Sequence, residues 1–207
     1  MIELFAAVQA MQASPELSDL HKVAPDIVID MRYAGENNFV GERIDGYDRA
    51  KCLLTEPAAN ALASAQRELS SMALSLKVHD CFRPQRAVDH FIRWSQNGDT
   101  TKKAEYYPNV EKGNLFDLGY IAEKSGHSRG STIDITIQGL DMGSPYDLFD
   151  PLSHTDNERV PAQARANRLL LKLVMEKNGF RNYEKEWWHY TLDDEPYKDQ
   201  YFDTPIE

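Results

Sequence analysis

A chain of 207 residues with 42% hydrophobic and 10% aromatic content holds enough apolar material for one folded unit with a substantial core, with or without a small extension. Its 33 acidic against 23 basic side chains leave a net charge of −10, which argues against a protein that grips nucleic acid through a basic stripe. The same acidity argues more weakly against binding an anionic polymer such as cell wall, while a small substrate remains compatible with it.

The chain opens on Met1-Ile2-Glu3-Leu4-Phe5-Ala6-Ala7-Val8, apolar but with Glu3 where an export signal would carry Lys or Arg. It therefore reads as cytoplasmic, although a periplasmic protein whose signal had been removed would look the same. Residues 1–25 are expected to form a leading helix and a tether, punctuated by Pro15 and Pro25. No run approaches the ~20 apolar residues of a membrane span, so no membrane association is expected. Asp26 to Tyr33 reads as a strand, followed by a long polar loop through Gly35, Gly41 and Gly46-Tyr47, of the kind that more often serves function than idles.

Thr55-Glu56-Pro57 marks a helix start, and Ala58, Leu62, Ala65, Leu69 and Met72 recur at the spacing of one buried stripe. Leu74 to Asp80 alternates as a strand and ends at Cys81-Phe82-Arg83-Pro84. Proline there breaks the geometry and starts a new helix, with Ala87, Val88, Phe91 and Ile92 inward. Arg83 thus sits at a strand-to-helix corner, a place where side chains point into clefts. Cys52 and Cys81 lie in no paired metal-binding spacing, and the sequence leaves open whether they join. Residues 97–120 are polar and irregular and read as a surface excursion.

From Ser125 to Ile137 small turn-forming residues surround His127, then Ile133, Ile135 and Ile137 alternate with Thr132, Asp134 and Thr136. A carboxylate on the polar face of a core strand, just after a turn bearing an imidazole, suits two ligands of a metal site. A solvated acid and a hydrogen-bonded loop histidine suit the same residues. After an acid-rich loop, Asp141 to Asp150, a helix is expected from Pro161 to Asn178. Its inward stripe would be Ala166, Leu169, Leu170, Leu173 and Val174, with Gly179 as the stop. Glu186 to Leu192 reads as the last strand. With no repeats and no linker, the expectation is a single α+β domain over residues 1–207, helices packed on a largely antiparallel central sheet that carries the metal site.

Six histidines are available, His21, His79, His90, His127, His154 and His189, and a zinc centre would recruit a subset of them. Glu186 precedes His189 by three, so in a regular strand the two would face opposite sides; Glu186 must lie where the chain still turns to share a centre with it. Taken alone, that segment equally suits an exposed acid before an edge strand. His127, Asp134 and His189 together would leave the fourth vertex of a tetrahedral zinc open, which hydrolytic sites require. A nearby Glu186 could then move a proton from water to a leaving amine.

The motifs S-G-H-S-R-G-S-T-I-D and E-W-W-H-Y resemble those of the zinc D-alanyl-D-alanine dipeptidases of the vancomycin-resistance type, a branch of the zinc D-Ala-D-Ala peptidases. The likeness extends to D-M-R-Y-A, N-F-V-G, D-G-Y, F-R-P-Q-R-A and M-G-S-P-Y-D, in the family's order along most of the chain. It implies one Zn2+ per chain on His127, Asp134 and His189, with Glu186 as catalytic base. It further implies that Arg83 polarises the scissile carbonyl, that Asp147 holds the substrate's amino group, and that Tyr33, Tyr47 and Ser125 line the pocket. Gly126 departs from the pattern, since these enzymes often carry a second serine there. The implied reaction is hydrolysis of the small dipeptide D-Ala-D-Ala. Rivals are a zinc carboxypeptidase or endopeptidase acting on peptidoglycan stem peptides, and a non-catalytic binding module stabilised by zinc. Assembly into a homo-oligomer is left open.

Overall fold

The computed structural model describes residues 14–207; most of the expected leading helix lies outside them. In chain order the elements are β1 (Ser18–Asp19), α1 (Leu20–Val23), β2 (Val28–Ile29), β3 (Leu53–Leu54), α2 (Glu56–Ser70), β4 (Leu76–Asp80), α3 (Gln85–Gln96), α4 (Lys103–Tyr106), β5 (Thr132–Ile137), α5 (Ala162–Lys177), β6 (Phe180–Asn182) and β7 (His189–Leu192). Five strands form one sheet in the order β2-β4-β5-β7-β6, and β1 pairs with β3 in a small separate ribbon. Only β2 and β4 run parallel; the other pairs in the sheet are antiparallel. This is the expected α+β architecture.

The central strand, β5, is buried on both faces. Ile133, Ile135 and Ile137 join the main hydrophobic core, where full burial of each contributes roughly 1.5–3 kcal/mol. Thr132, Asp134 and Thr136 occupy the other face, the one that faces His189 across the sheet.

Several elements depart from the sequence reading for physical reasons. The strand expected over Asp26 to Tyr33 is only two residues long: Asp30 N still bonds Val78 O at 2.9 Å, after which the chain turns into a 3₁₀ segment, Arg32–Ala34. Thr55 occupies the cap position of α2, but its hydroxyl pairs with Ser131 Oγ at 2.7 Å rather than with the helix N-terminus. Met72, past the end of α2, is exposed, and Ile92 is only half-buried.

In α5 the inward stripe is Ala164, Asn167, Arg168, Leu171, Val174 and Met175, while Ala166, Leu169 and Leu173 face solvent. Arg168 explains the shift. Its guanidinium, 1% exposed, donates to the carbonyls of Met142 (2.6 Å), His154 (2.8 Å) and Leu152 (2.9 Å) and to Ser144 Oγ (3.0 Å). Four acceptors from the loop between β5 and α5 offset the burial of that charge, so the arginine turns inward and the leucines do not.

Residues 97–120 are pinned rather than loose. Lys112 Nζ bonds Asn97 Oδ1 (2.6 Å) and Asp99 O (2.8 Å) above the Trp94 ring, Phe149 N bonds Tyr106 O (2.7 Å), and Tyr106, Tyr107 and Leu115 are buried.

Cys52 and Cys81 form a disulfide across 29 residues. A link of that span removes roughly 3–4 kcal/mol of unfolded-chain freedom. It ties the approach to β3 to the corner that follows β4. Among the described residues, no helix is long and apolar enough to cross a membrane.

Candidate metal centre and pocket

Two of the three expected metal ligands face each other across the sheet. Asp134 on β5 and His189 at the start of β7 are cross-strand partners, and one step along Thr132 and Thr191 pair hydroxyl to hydroxyl at 2.9 Å. His127 comes from the 3₁₀ turn Gly126–Arg129 just before β5, where the Ser125 hydroxyl accepts from His127 N at 3.3 Å. At Gly126 a Cβ would stand 2.8 Å from Thr132 Oγ1, which pairs with Thr191, so a side chain there would need that threonine pair to shift.

Among the described residues, His127, Asp134 and His189 form a group able to hold a metal ion. His189 Nδ1 and His127 Nε2 stand 3.1 and 3.3 Å from Asp134 Oδ1, and 3.3 Å from each other. Ligands about 2.0–2.1 Å from a tetrahedral ion are separated by roughly 3.3–3.4 Å, so the three spacings match three edges of such a tetrahedron. Asp134 Oδ1 is buried without a hydrogen bond, an orphaned acceptor aimed at the centre of the group. His127 Nδ1 lies 2.7 Å from Cys81 O and donates to it, which leaves the Nε2 lone pair for an ion. The donor set and its geometry therefore fit a divalent metal.

Burial alone would raise the Asp134 carboxyl, but the imidazoles of His127 and His189 set against it hold it well below the usual carboxylate range. For His189 burial pulls the other way, and Asp134 with Glu186 keeps its imidazole above the ordinary value. Glu186 enters from a turn rather than a strand: its N bonds Tyr183 O at 3.0 Å, and His189 N bonds Glu186 O at 3.2 Å. That turn brings Glu186 Oε2 to 3.4 Å from His189 Nδ1. Burial, with Asp134 adding to it, pushes Glu186 up to about 7.

Arg83 is fixed from behind. Its Nε and Nη2 both donate to Asp80 Oδ2, at 2.9 and 2.8 Å, its charge lies 5.1 Å from the Tyr33 and Phe91 ring centres, and Nη2 is 3.6 Å from Asp134 Oδ2. Burial opposes the charge on Arg83, but Asp80 and its neighbours keep the guanidinium firmly protonated. Tyr47, expected in the pocket lining, lies behind it instead: fully buried, it donates to Asp80 Oδ1 at 2.6 Å and so supports Arg83 indirectly.

Asp147 and Tyr33 form the far wall, with the Tyr33 hydroxyl donating to Asp147 Oδ2 at 2.9 Å. The Asp147 backbone is left-handed, φ 62°, a conformation costing a non-glycine residue about 1 kcal/mol or more. The carbonyl clamp of Arg168 holds the loop that carries it. Burial, with Asp134 nearby, pushes the Asp147 carboxyl well above its usual range.

Arg83, Asp134, Asp147, Glu186, His189, Tyr33 and Ser125 all line one cavity of about 310 Å³, at the small end of ligand pockets. Gly119, Tyr120, Ile121 and Lys124 also line it, the first two from the end of the segment expected to be a surface excursion. Sequence reasoning missed Asp80 and Tyr146. An acid three residues before Arg83, across a strand end, was the available signal for Asp80; Tyr146 gave none beyond its place beside Asp147.

Residues 13–207 match the peptidase M15 family, described as D-ala-D-ala dipeptidase. The chain is 45% identical over 184 residues to a D-alanyl-D-alanine dipeptidase of Streptomyces coelicolor, and 42% identical over 184 residues to one of Enterococcus faecalis. Each match covers 86% of this chain and 91% of the relative. A D-alanyl-D-alanine dipeptidase of Escherichia coli is 35% identical over 187 residues, covering 88% of this chain and 87% of the relative.

Proposed function

The chain belongs to the D-Ala-D-Ala dipeptidase family of M15 peptidases, and from that premise we propose that it hydrolyses D-Ala-D-Ala to two D-alanines. One zinc ion would be held by His127, Asp134 and His189. The observation that carries this reading is the convergence of those three groups at tetrahedral spacing beside Glu186, on the wall of a small cavity. Zinc bound there supplies Lewis acidity, lowering the pKa of water to about 7.

Glu186 takes the proton of the attacking water and delivers it to the departing amino group, a task suited to a buried carboxylate beside the metal ligands. Arg83, already oriented by Asp80, donates to the scissile carbonyl oxygen as negative charge grows on it, with no reorganisation at that moment. Asp147 accepts the substrate's ammonium and Tyr33 steadies that carboxylate. Burial raises the Asp147 carboxyl, and an arriving ammonium favours its charged form. Ser125 adds a hydroxyl to the lining. One acid and few donors in an enclosed space measure the length of a free dipeptide. A stem peptide would bury an amide where Asp147 requires a charge.

The Cys52–Cys81 bond favours an oxidising compartment, which moves the reading from the cytoplasm toward the periplasm or cell exterior.

The test is alanine release by the zinc-loaded protein from free D-Ala-D-Ala, L-Ala-L-Ala and a wall pentapeptide ending in D-Ala-D-Ala. Release from the free D-dipeptide and none from the pentapeptide is expected. Release from the pentapeptide alone would overturn the reading in favour of a carboxypeptidase, and no release from any of the three would favour a zinc-stabilised binding module.

A further inference from the structure

The two oxygens of Asp134 have different surroundings. Oδ1 faces the two imidazole nitrogens and makes no hydrogen bond, while Oδ2 lies 3.0 Å from the Tyr146 hydroxyl. An aspartate carboxylate turns readily about its last torsion, so something must decide which oxygen is presented to an ion. Arg83 does not decide it. Its Nε and Nη2 are committed to Asp80 Oδ2, and its 3.6 Å approach to Asp134 is beyond hydrogen-bond range. Tyr146 is left as the side chain that hydrogen-bonds Asp134 Oδ2.

Tyr146 is itself immobilised. Its ring stacks on His79 with centres 4.6 Å apart and planes at 22°, meets Trp188 edge-on at 5.4 Å, and has the Arg32 charge 5.8 Å from its centre. The loop that carries it is anchored by Arg168 through Met142 O, Leu152 O and Ser144 Oγ. The Tyr146 oxygen also lies 3.2 Å from the Tyr33 hydroxyl, whose other neighbour is Asp147 Oδ2 at 2.9 Å.

We propose that Tyr146 is a positioning residue: its hydroxyl donates to Asp134 Oδ2 and pins it so that Oδ1 is presented to the metal. The inference rests on Asp134 being a metal ligand, as read above. Losing a partner that orients a metal ligand typically weakens metal binding 10- to 100-fold. His79 contributes by keeping the phenol ring flat in place without touching the ligands.

The experiment is zinc affinity, by competition with a chromophoric chelator, for the full wild-type chain and for Tyr146→Phe, Tyr33→Phe and His79→Leu, with thermal melting of each metal-free protein alongside. Tyr146→Phe is expected to bind zinc about tenfold or more weaker. Tyr33→Phe removes a hydroxyl from the same cluster but none from Asp134, and keeps wild-type affinity; His79→Leu falls between the two. Wild-type affinity in Tyr146→Phe overturns the proposal, and so does an equal loss in Tyr146→Phe and Tyr33→Phe, which would mark general loosening. If Tyr146→Phe does not fold, His79→Leu decides: weakened binding supports the proposal and unchanged binding overturns it. A wild-type chain that binds no zinc removes the metal reading and this inference with it, an outcome distinct from the others.

Discussion

Glu186→Gln is expected to lower kcat/KM for D-Ala-D-Ala by about 10²- to 10⁴-fold while one zinc per chain stays bound. Glutamine keeps the size of the side chain but cannot accept and return a proton at neutral pH. The residue stands 3.4 Å from His189 Nδ1 yet supplies none of the three converging ligand atoms, so its loss leaves the metal group intact. The pH profile gives a second readout. In the metal-free chain burial holds Glu186 near 7, and a bound cation lowers that value. Wild-type kcat/KM then rises with pH as Glu186 ionises, and Glu186→Gln loses that acid limb. A variant with near wild-type turnover would mean that another group moves the proton.

His189→Ala is expected to do the reverse of Glu186→Gln, losing the metal first and activity as a consequence. Removing an outer partner of a ligand already costs 10- to 100-fold in metal affinity, so removing one of three ligands costs more than about 100-fold. The strand survives the change, since β7 is held by its pairing to β5 and β6 and by Tyr190 in the core. Equilibrium dialysis against zinc, with circular dichroism to check the fold, separates the two variants. Should His189→Ala keep zinc and Glu186→Gln lose it, the ligand and the base have been exchanged.

The convergence of His127, Asp134 and His189 was legible because local rules survive in it. Alternation along β5 put Asp134 opposite the isoleucine face, and the three-residue step from Glu186 to His189 demanded a turn, which the Tyr183 and Glu186 carbonyls provide. Asp80 was not legible because a β-bulge intervenes. Val78 pairs with Ile135, so regular alternation would set Asp80 on the core face with Val78. The register shift between Val78 and Asp80 pairs Asp80 with Asp134 instead and turns it to the Asp134 face, beneath Arg83.

The stripe of α5 was misplaced for a different reason. Leucine content pointed to Leu169 and Leu173, whereas the carbonyls of Met142, Leu152 and His154 draw Arg168 inward, and no helical periodicity reveals acceptors on a distant loop. The lining from Gly119 to Lys124 was hidden likewise, since a polar segment becomes a pocket wall only through contacts such as Lys185 Nζ to Leu118 O at 3.1 Å.

Anomalous diffraction at the zinc edge, from crystals of the metal-loaded chain, tests the central claim most directly. One peak about 2.0–2.2 Å from His127 Nε2, Asp134 Oδ1 and His189 Nδ1, with its remaining vertex open to the cavity beside Glu186, is the predicted result. A peak bound elsewhere on the chain, or one whose fourth position is closed by a protein side chain, would contradict it.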